Sequence, residues 1–437
     1  MLSALINRVQ SMTPDRRQFF VHAALAALFR VFAAGAAFLL SVAAARVLGA
    51  EQSGLFFLGL SLATLLGTLC LLGMDNAILR FIGQSHVSGD NEHTNQVFTN
   101  AYAAVVPVAV LSGAIVYFCA PWLANAVFHK PEATETLRYF AAAIPFVSLF
   151  FLNGYALQAT RKVIASVCSM QLGVTILALP ALLYLPYIQT TPLASTAAMI
   201  YVLASVLVVI AGLWLWFNVP AHGINTSNLR MPELWEAAPN LWLISATGQA
   251  IPWASVVVVG FFASSEEIAF FSAAQRTSLL ISFMLMVVNF VAAPRFSALY
   301  KAGELGQLKR LAQLSTRMMI GFSLPILLAV LIWPAAIMSL FGDAFSQSGQ
   351  LLVILAIGQT INVMTGSVGF LLTMCGYEKD MRNITVFAGV LTVTMMVVFT
   401  SIWGILGAAI AVSLGVSTQN LLALHKVKKR LGFWPIG

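Results

Sequence analysis

The sequence predicts an all-α polytopic membrane protein of twelve transmembrane helices, arranged as two halves of six. Three observations point there. The chain is 60% hydrophobic and 9% charged over 437 residues, where soluble domains carry about 25% charged residues. Its mean hydropathy is +0.90, and its apolar residues gather into runs that reach the roughly 20 residues needed to cross a bilayer core. One stretch is also written twice. RVLGAEQSGLFFLGLSLATLLGTLCLLGMDNAILRF, 46–81, has a look-alike in GFFASSEEIAFFSAAQRTSLLISFMLMVVNFVAAPRF, 260–296. Phe56-Phe57 falls on Phe270-Phe271 and Arg80-Phe81 on Arg295-Phe296, an offset of about 214 residues and a sign of internal repetition.

Residues 1–18 are polar and basic, with Leu2, Leu5, Ile6, Val9 and Met12 at helical spacing. The pattern predicts a short amphipathic helix lying on the membrane before Pro14. A cleaved signal peptide does not fit, because the following apolar run exceeds a signal core and many more spans come after it. The predicted spans are 19–45, 54–82, 98–119, 134–160, 163–185 and 192–217, then 236–262, 267–295, 312–336, 347–375, 381–401 and 404–426. The polar stretch Asn218 to Glu233 joins the halves, setting domains of 1–221 and 222–437. Trp122, Trp214, Trp216, Trp235, Trp333, Trp403 and Trp434 fall near span ends, as an aromatic belt requires.

Counting Lys and Arg by side gives the orientation. Of 23 basic residues, 18 lie on one side, from Arg8, Arg16 and Arg17 through Arg80, Arg161 and Lys162 to the Lys426–Arg430 tail. Arg46, Lys130 and Arg138 lie opposite, while Arg30 and Arg276 fall inside spans. The positive-inside rule then places both termini in the cytoplasm. The net charge of +8 is therefore a topological signal, and no nucleic-acid partner is expected. Cys70, Cys119, Cys168 and Cys375 show no metal or redox spacing. No GxxxxGK[ST] loop and no Ser/His/Asp constellation is present. The expectation is a chain that is not an enzyme and holds no metal or cofactor.

The RVLGAEQSGLFFLG corner, the LLGMDNAILRF run and the ASSEEIAFFSAAQR…APRFSALYKAGE block resemble bacterial polysaccharide exporters. These are the lipid-linked oligosaccharide flippases, of the O-antigen (Wzx) type, in the multidrug/oligosaccharidyl-lipid/polysaccharide superfamily. The resemblance covers nearly the whole chain. It implies two six-helix lobes in a V around a central cavity, and movement of an undecaprenyl-diphosphate-linked oligosaccharide across the bacterial inner membrane by alternating access. It also implies membrane lipids and a polysaccharide polymerase or chain-length regulator as partners. The alternatives are a multidrug exporter of the same superfamily, which would want an acidic first-lobe cavity where this chain offers Arg30, and a non-transporting scaffold of a glycan-assembly complex.

Arg30 interrupts the first span about 11 residues in, roughly 16 Å along a helix. Arginine at that depth costs about 2.5–3.5 kcal/mol even on the lenient insertion scale. It either faces water and holds an anionic head group, which a guanidinium fits bidentately, or pairs within the protein for packing. No acid lies in its own span, which favours the first. Arg276 in the eighth span is its expected counterpart across the cavity, and Arg46 at the end of the first span is a mouth residue or an interfacial anchor. Asp75 either pairs locally or serves as a coupling carboxylate. Polar stripes predict cavity lining that can meet sugar hydroxyls: Ser148, Tyr155 and Gln158; Ser245 and Gln249; Gln359, Asn362 and Thr373 with Gly366 and Gly369; and Ser413, Ser417 and Asn420. Such a stripe serves equally for close helix packing.

Overall fold

The computed structural model describes the backbone of residues 14–219, 222–227 and 231–436. Side chains are described from residue 28 onward, except at 87, 237, 240, 244–245, 247–251, 290–291 and 294. The expected amphipathic helix at the N-terminus, and the side chains of Ser245 and Gln249, lie outside the described residues.

The first helix, α1 (Pro14–Leu69), runs 56 residues and is interrupted at Gly49 alone, with φ 74° and ψ 175°. The sequence predicts a polar corner carrying Arg46, Gly49, Glu51 and Gly54. Instead Glu51 and Gln52 already lie in helix, because one residue in a conformation that suits glycine reverses the chain. A single span 54–82 was also expected, and the structure divides it. After Leu69 the chain turns through Leu72 (φ 52°) and Gly73 (φ 83°) into α2, Met74–Ser88. A Cβ on Gly73 would lie 2.6 Å from the Trp242 backbone nitrogen, so close approach of another helix demands the glycine.

Asp90 caps α3 (Asn91–Trp122) by accepting from the His93 amide at 2.9 Å. A wider turn, Leu123–Val127, follows. Then come α4 (Ala133–Ala159), α5 (Val163–Ile188) and α6 (Ala194–Phe217). In the second half, α7 is Pro232–Phe262 and α8 is Ser265–Lys301. A reciprocal capping box of Ser264 and Glu267 starts α8. α9 is Leu305–Ile332, and short helical turns lead to α10, Gly349–Thr365. The expected span 347–375 is broken at Gly366 (φ 74°), where a Cβ would overlap the Thr316 hydroxyl; α11 (Val368–Met374) continues it. The last helix, α12 (Glu378–Leu431), is interrupted at Gly404, φ 59°. Among the described residues, nine helices are long and apolar enough to cross a membrane. Exposed Trp122, Trp214, Trp333 and Trp403 fit the expected belt. Trp216 does not, since it is buried and stacked between Phe98 and His222.

The core is a single cluster at one end and separate clusters at the other. Near the Gly49 and Ser264 turns a single apolar cluster holds residues of both halves, among them Phe56, Phe57, Phe270 and Phe271. Toward the end carrying Arg80 and the Lys426–Arg430 tail there are two. One gathers Met74, Ile78 and Phe98 with the start of α7, at Leu234 and Ala238. The other gathers Phe296, Leu371 and Val427 of the second half alone. Gly54 shows how close the halves come at the joined end, because a Cβ there would overlap the Ser265 carbonyl.

Candidate functional site

Two places bring functional side chains together, one deep along α1 and one at the joined end. The deep one is built around Arg276 of α8. Its Nη1 donates to Ser41 Oγ of α1 at 2.9 Å. Its guanidinium stands 4.6 Å from the centroid of Phe57 and 5.9 Å from that of Trp253, within the range of cation–π attraction. Tyr201 of α6 is close enough to interact with it electrostatically. Among the described residues, Ser41 is its one hydrogen-bond acceptor and no carboxylate pairs with it. It keeps accessible surface although aromatic rings from both halves surround it. That is the environment of a cation held by a hydroxyl and aromatic faces, with no acid beside it among the described residues.

Arg30 sits on the same helix as Ser41, 11 residues nearer the N-terminus. It is half-buried and interacts electrostatically with Tyr155 near the end of α4. Ala33 close by packs on Val167 and Leu172 of α5.

At the joined end, Arg46 is exposed and donates Nε to the Leu340 carbonyl at 2.6 Å, across 294 residues. A second cation does the same in the opposite sense. Lys130, 6% exposed, donates to the Phe128 carbonyl at 2.8 Å and to the Gly260 carbonyl of α7 at 3.1 Å. Burial pushes its ammonium below its ordinary range, and the Glu132 and Glu267 carboxylates pull the other way. Gly260 lies 214 residues after Arg46, and Leu340 lies close to the same offset from Lys130. The two latches therefore repeat one another. Phe128 stacks on Phe261 beside one of them and Phe341 meets Phe38 edge-on beside the other. A cleft of about 510 Å³ borders Lys130 and is lined by Glu51, Glu132 and Glu266.

The remaining candidates are dispersed. Asp75 is buried in the first turn of α2, away from both places. Ser148 is fully buried and donates to the Gly67 and Ile144 carbonyls, joining α4 to α1. Gln158 is half-buried beyond Tyr155. Gln359, 8% exposed, accepts from Asn362 Nδ2 at 3.3 Å. Thr373 is exposed and bonds its own helix at Gly369. Ser413 packs on Gly358, where a Cβ would sit 2.6 Å from its hydroxyl, so that part of the stripes serves a seam between α10 and α12. The sequence reading missed Ser41, Phe57, Trp253 and Lys130 as site residues. Lys130 carried a signal, being one of few basic residues on its side. Ser41 carried another, standing 11 residues from Arg30 and so nearly in line with it on a helix.

A family model described as polysaccharide biosynthesis protein matches residues 22–300, well over half of the chain. The chain belongs to this family. The resemblance to a polysaccharide family is borne out by this match. A curated relative, "Probable flippase AglR" of Haloferax volcanii, is 21% identical over 198 residues, 44% of this chain and 41% of that protein. The chain thus spans about two fifths of that relative's length. Two solved structures share the fold of this family member across its length. One is an inward-facing multidrug resistance MATE transporter (TM-score 0.75, 13% identity, covering 93% of this chain and 98% of that one). The other is the lipid II flippase MurJ in an inward closed conformation (TM-score 0.74, 14% identity, covering 93% and 87%).

Proposed function

We propose that the chain is a flippase that carries a lipid-linked oligosaccharide across the membrane by alternating access. Its anionic diphosphate head group engages Arg30 and Arg276, and its lipid tail stays in the bilayer. The observation that carries this reading is the deep cation Arg276, held by a hydroxyl and aromatic rings with no carboxylate beside it among the described residues. A cation this deep in an apolar span is costly, and an anion beside it offsets that cost. A protein that expels cationic drugs would be expected to carry an acid at that place. Membership of the polysaccharide biosynthesis family and a relative described as a flippase support the same reading.

The architecture we infer is twelve spans in two lobes, 1–221 and 222–437, around a central cavity. The breaks at Gly49 and Gly404 turn the nine long apolar helices into eleven crossings, and α7 supplies the twelfth. A core that is continuous at one end and split into separate clusters at the other suits two lobes that rock about a site between them. On this reading the joined end is periplasmic and both termini are cytoplasmic in a bacterial inner membrane. The cargo is an undecaprenyl-diphosphate glycan, such as an O-antigen unit, handed on to a polymerase or chain-length regulator.

Flipping of a short-chain polyprenyl-diphosphate oligosaccharide in proteoliposomes tests the reading. Arg30→Ala should abolish it at matched insertion, because removing an unfavourable intramembrane charge leaves the fold intact. Arg30→Lys should restore part, keeping charge but losing the planar fork, and Arg30→Glu should be worse than Ala. Full activity in Arg30→Ala would remove Arg30 from the mechanism.

A further inference from the structure

Resting on the head-group reading above, we propose that Arg30 and Arg276 are two successive diphosphate stations along α1, and not the two jaws of one clamp. Ser41 marks where Arg276 sits, since the guanidinium of Arg276 is bonded to its hydroxyl at 2.9 Å. Between Arg30 and Ser41, α1 is unbroken helix. Eleven residues advance a helix by about 16 Å and turn it by about 20° beyond whole turns. The two cations therefore share one lane of α1 at well-separated depths.

The side-chain directions widen the gap. Helical side chains lean toward the helix N-terminus, so Arg30 leans away from Ser41. Its partner Tyr155 agrees with that, lying near the C-terminal end of α4. The anionic oxygens of one diphosphate lie within a few ångströms of each other. A head group gripped by one guanidinium is out of reach of the other.

The surroundings also differ in kind. Arg30 lies beside first-half residues, near the small cluster of Ala33, Val167 and Leu172 and close to Tyr155. Arg276 comes from the second half but is held by Ser41 and Phe57 of the first, at the level where the halves share a core. Cation–π contacts grip the face of the guanidinium and leave its edge for forked bonds to phosphate. An anion entering from the end that carries Arg80 meets Arg30 first and Arg276 second. The second station is shared between the halves, Arg276 from one and Ser41 and Phe57 from the other. Arrival there presents the anion to contacts that join the halves.

The test is stoichiometric binding of geranyl diphosphate, a soluble prenyl diphosphate, to the purified full-length protein by titration calorimetry and native mass spectrometry. Two equivalents should bind. Arg30→Gln should lose one and Arg276→Gln the other, with affinity at the remaining station changed by no more than about twofold, as independent sites require. The double variant should bind none. Arg30→Lys and Arg276→Lys should keep both equivalents at weaker affinity, which guards against loss through misfolding. A single equivalent bound by the unaltered protein and lost in either Gln variant overturns the two stations while leaving the head-group reading in place. No binding, or binding untouched by both Gln variants, overturns the head-group reading itself.

Discussion

Removing the ammonium of Lys130 should loosen the joined end. Lys130 donates to two carbonyls, but the one from Phe128 is local and only that from Gly260, at 3.1 Å, crosses between the halves. A hydrogen bond from a charged donor is worth about 1.5–3 kcal/mol. Part of this is offset in Lys130→Met, because the variant no longer buries an ammonium. A net loss of about 1–2 kcal/mol remains, which multiplies the population opened at that end by roughly 5–30. Arg46→Met breaks the repeated bond to Leu340, but Arg46 is exposed, and its contribution is about 0.5–1 kcal/mol. The assay is electron–electron distance measurement between spin labels at Ala126 and Asp343, both exposed at that end, in a cysteine-free background. Lys130→Met should add a longer distance, Arg46→Met a smaller amount of it, and the double variant at least their sum. An unchanged distance distribution in the double variant would refute the latch.

Gly54→Ala should cost about 1–3 kcal/mol by overpacking against the Ser265 carbonyl, seen as lower thermal stability and a displaced joined end; wild-type stability would mean that the halves do not approach there. Cysteines placed at Thr226 and at Glu266 should label from opposite faces of the membrane, and labelling from the same face would sink the twelve-span topology. Trp242→Phe removes the indole donor that meets the Leu69 carbonyl at 2.9 Å. It should cost about 1 kcal/mol, measured as a shift in detergent-solubilised melting temperature, while Trp235→Phe, exposed and with no such bond among the described residues, should cost less.

Membrane class, helix content and the approximate position of each span follow from composition and apolar run length, because hydrocarbon forces every backbone polar group into internal hydrogen bonds. The corner between the first two apolar runs was legible as a polar interruption, but its confinement to Gly49 was not, because one glycine can reverse a chain without any flanking loop. Arg30 and Arg276 were conspicuous as charges in apolar runs, since burial makes such residues costly wherever they point. What surrounds them was not legible. That Arg276 meets Ser41 and Phe57, that Arg46 meets Leu340 and Lys130 meets Gly260, depends on contacts between residues more than a hundred positions apart. Local pattern carries no information about such distances. The break after Leu69 hides likewise, since apolar residues continue through it and only the approach of α7 to Gly73 requires it. Hydropathy reads each crossing alone, whereas the depth at which two cations stand, and which half holds each, is set by how the helices pack against one another.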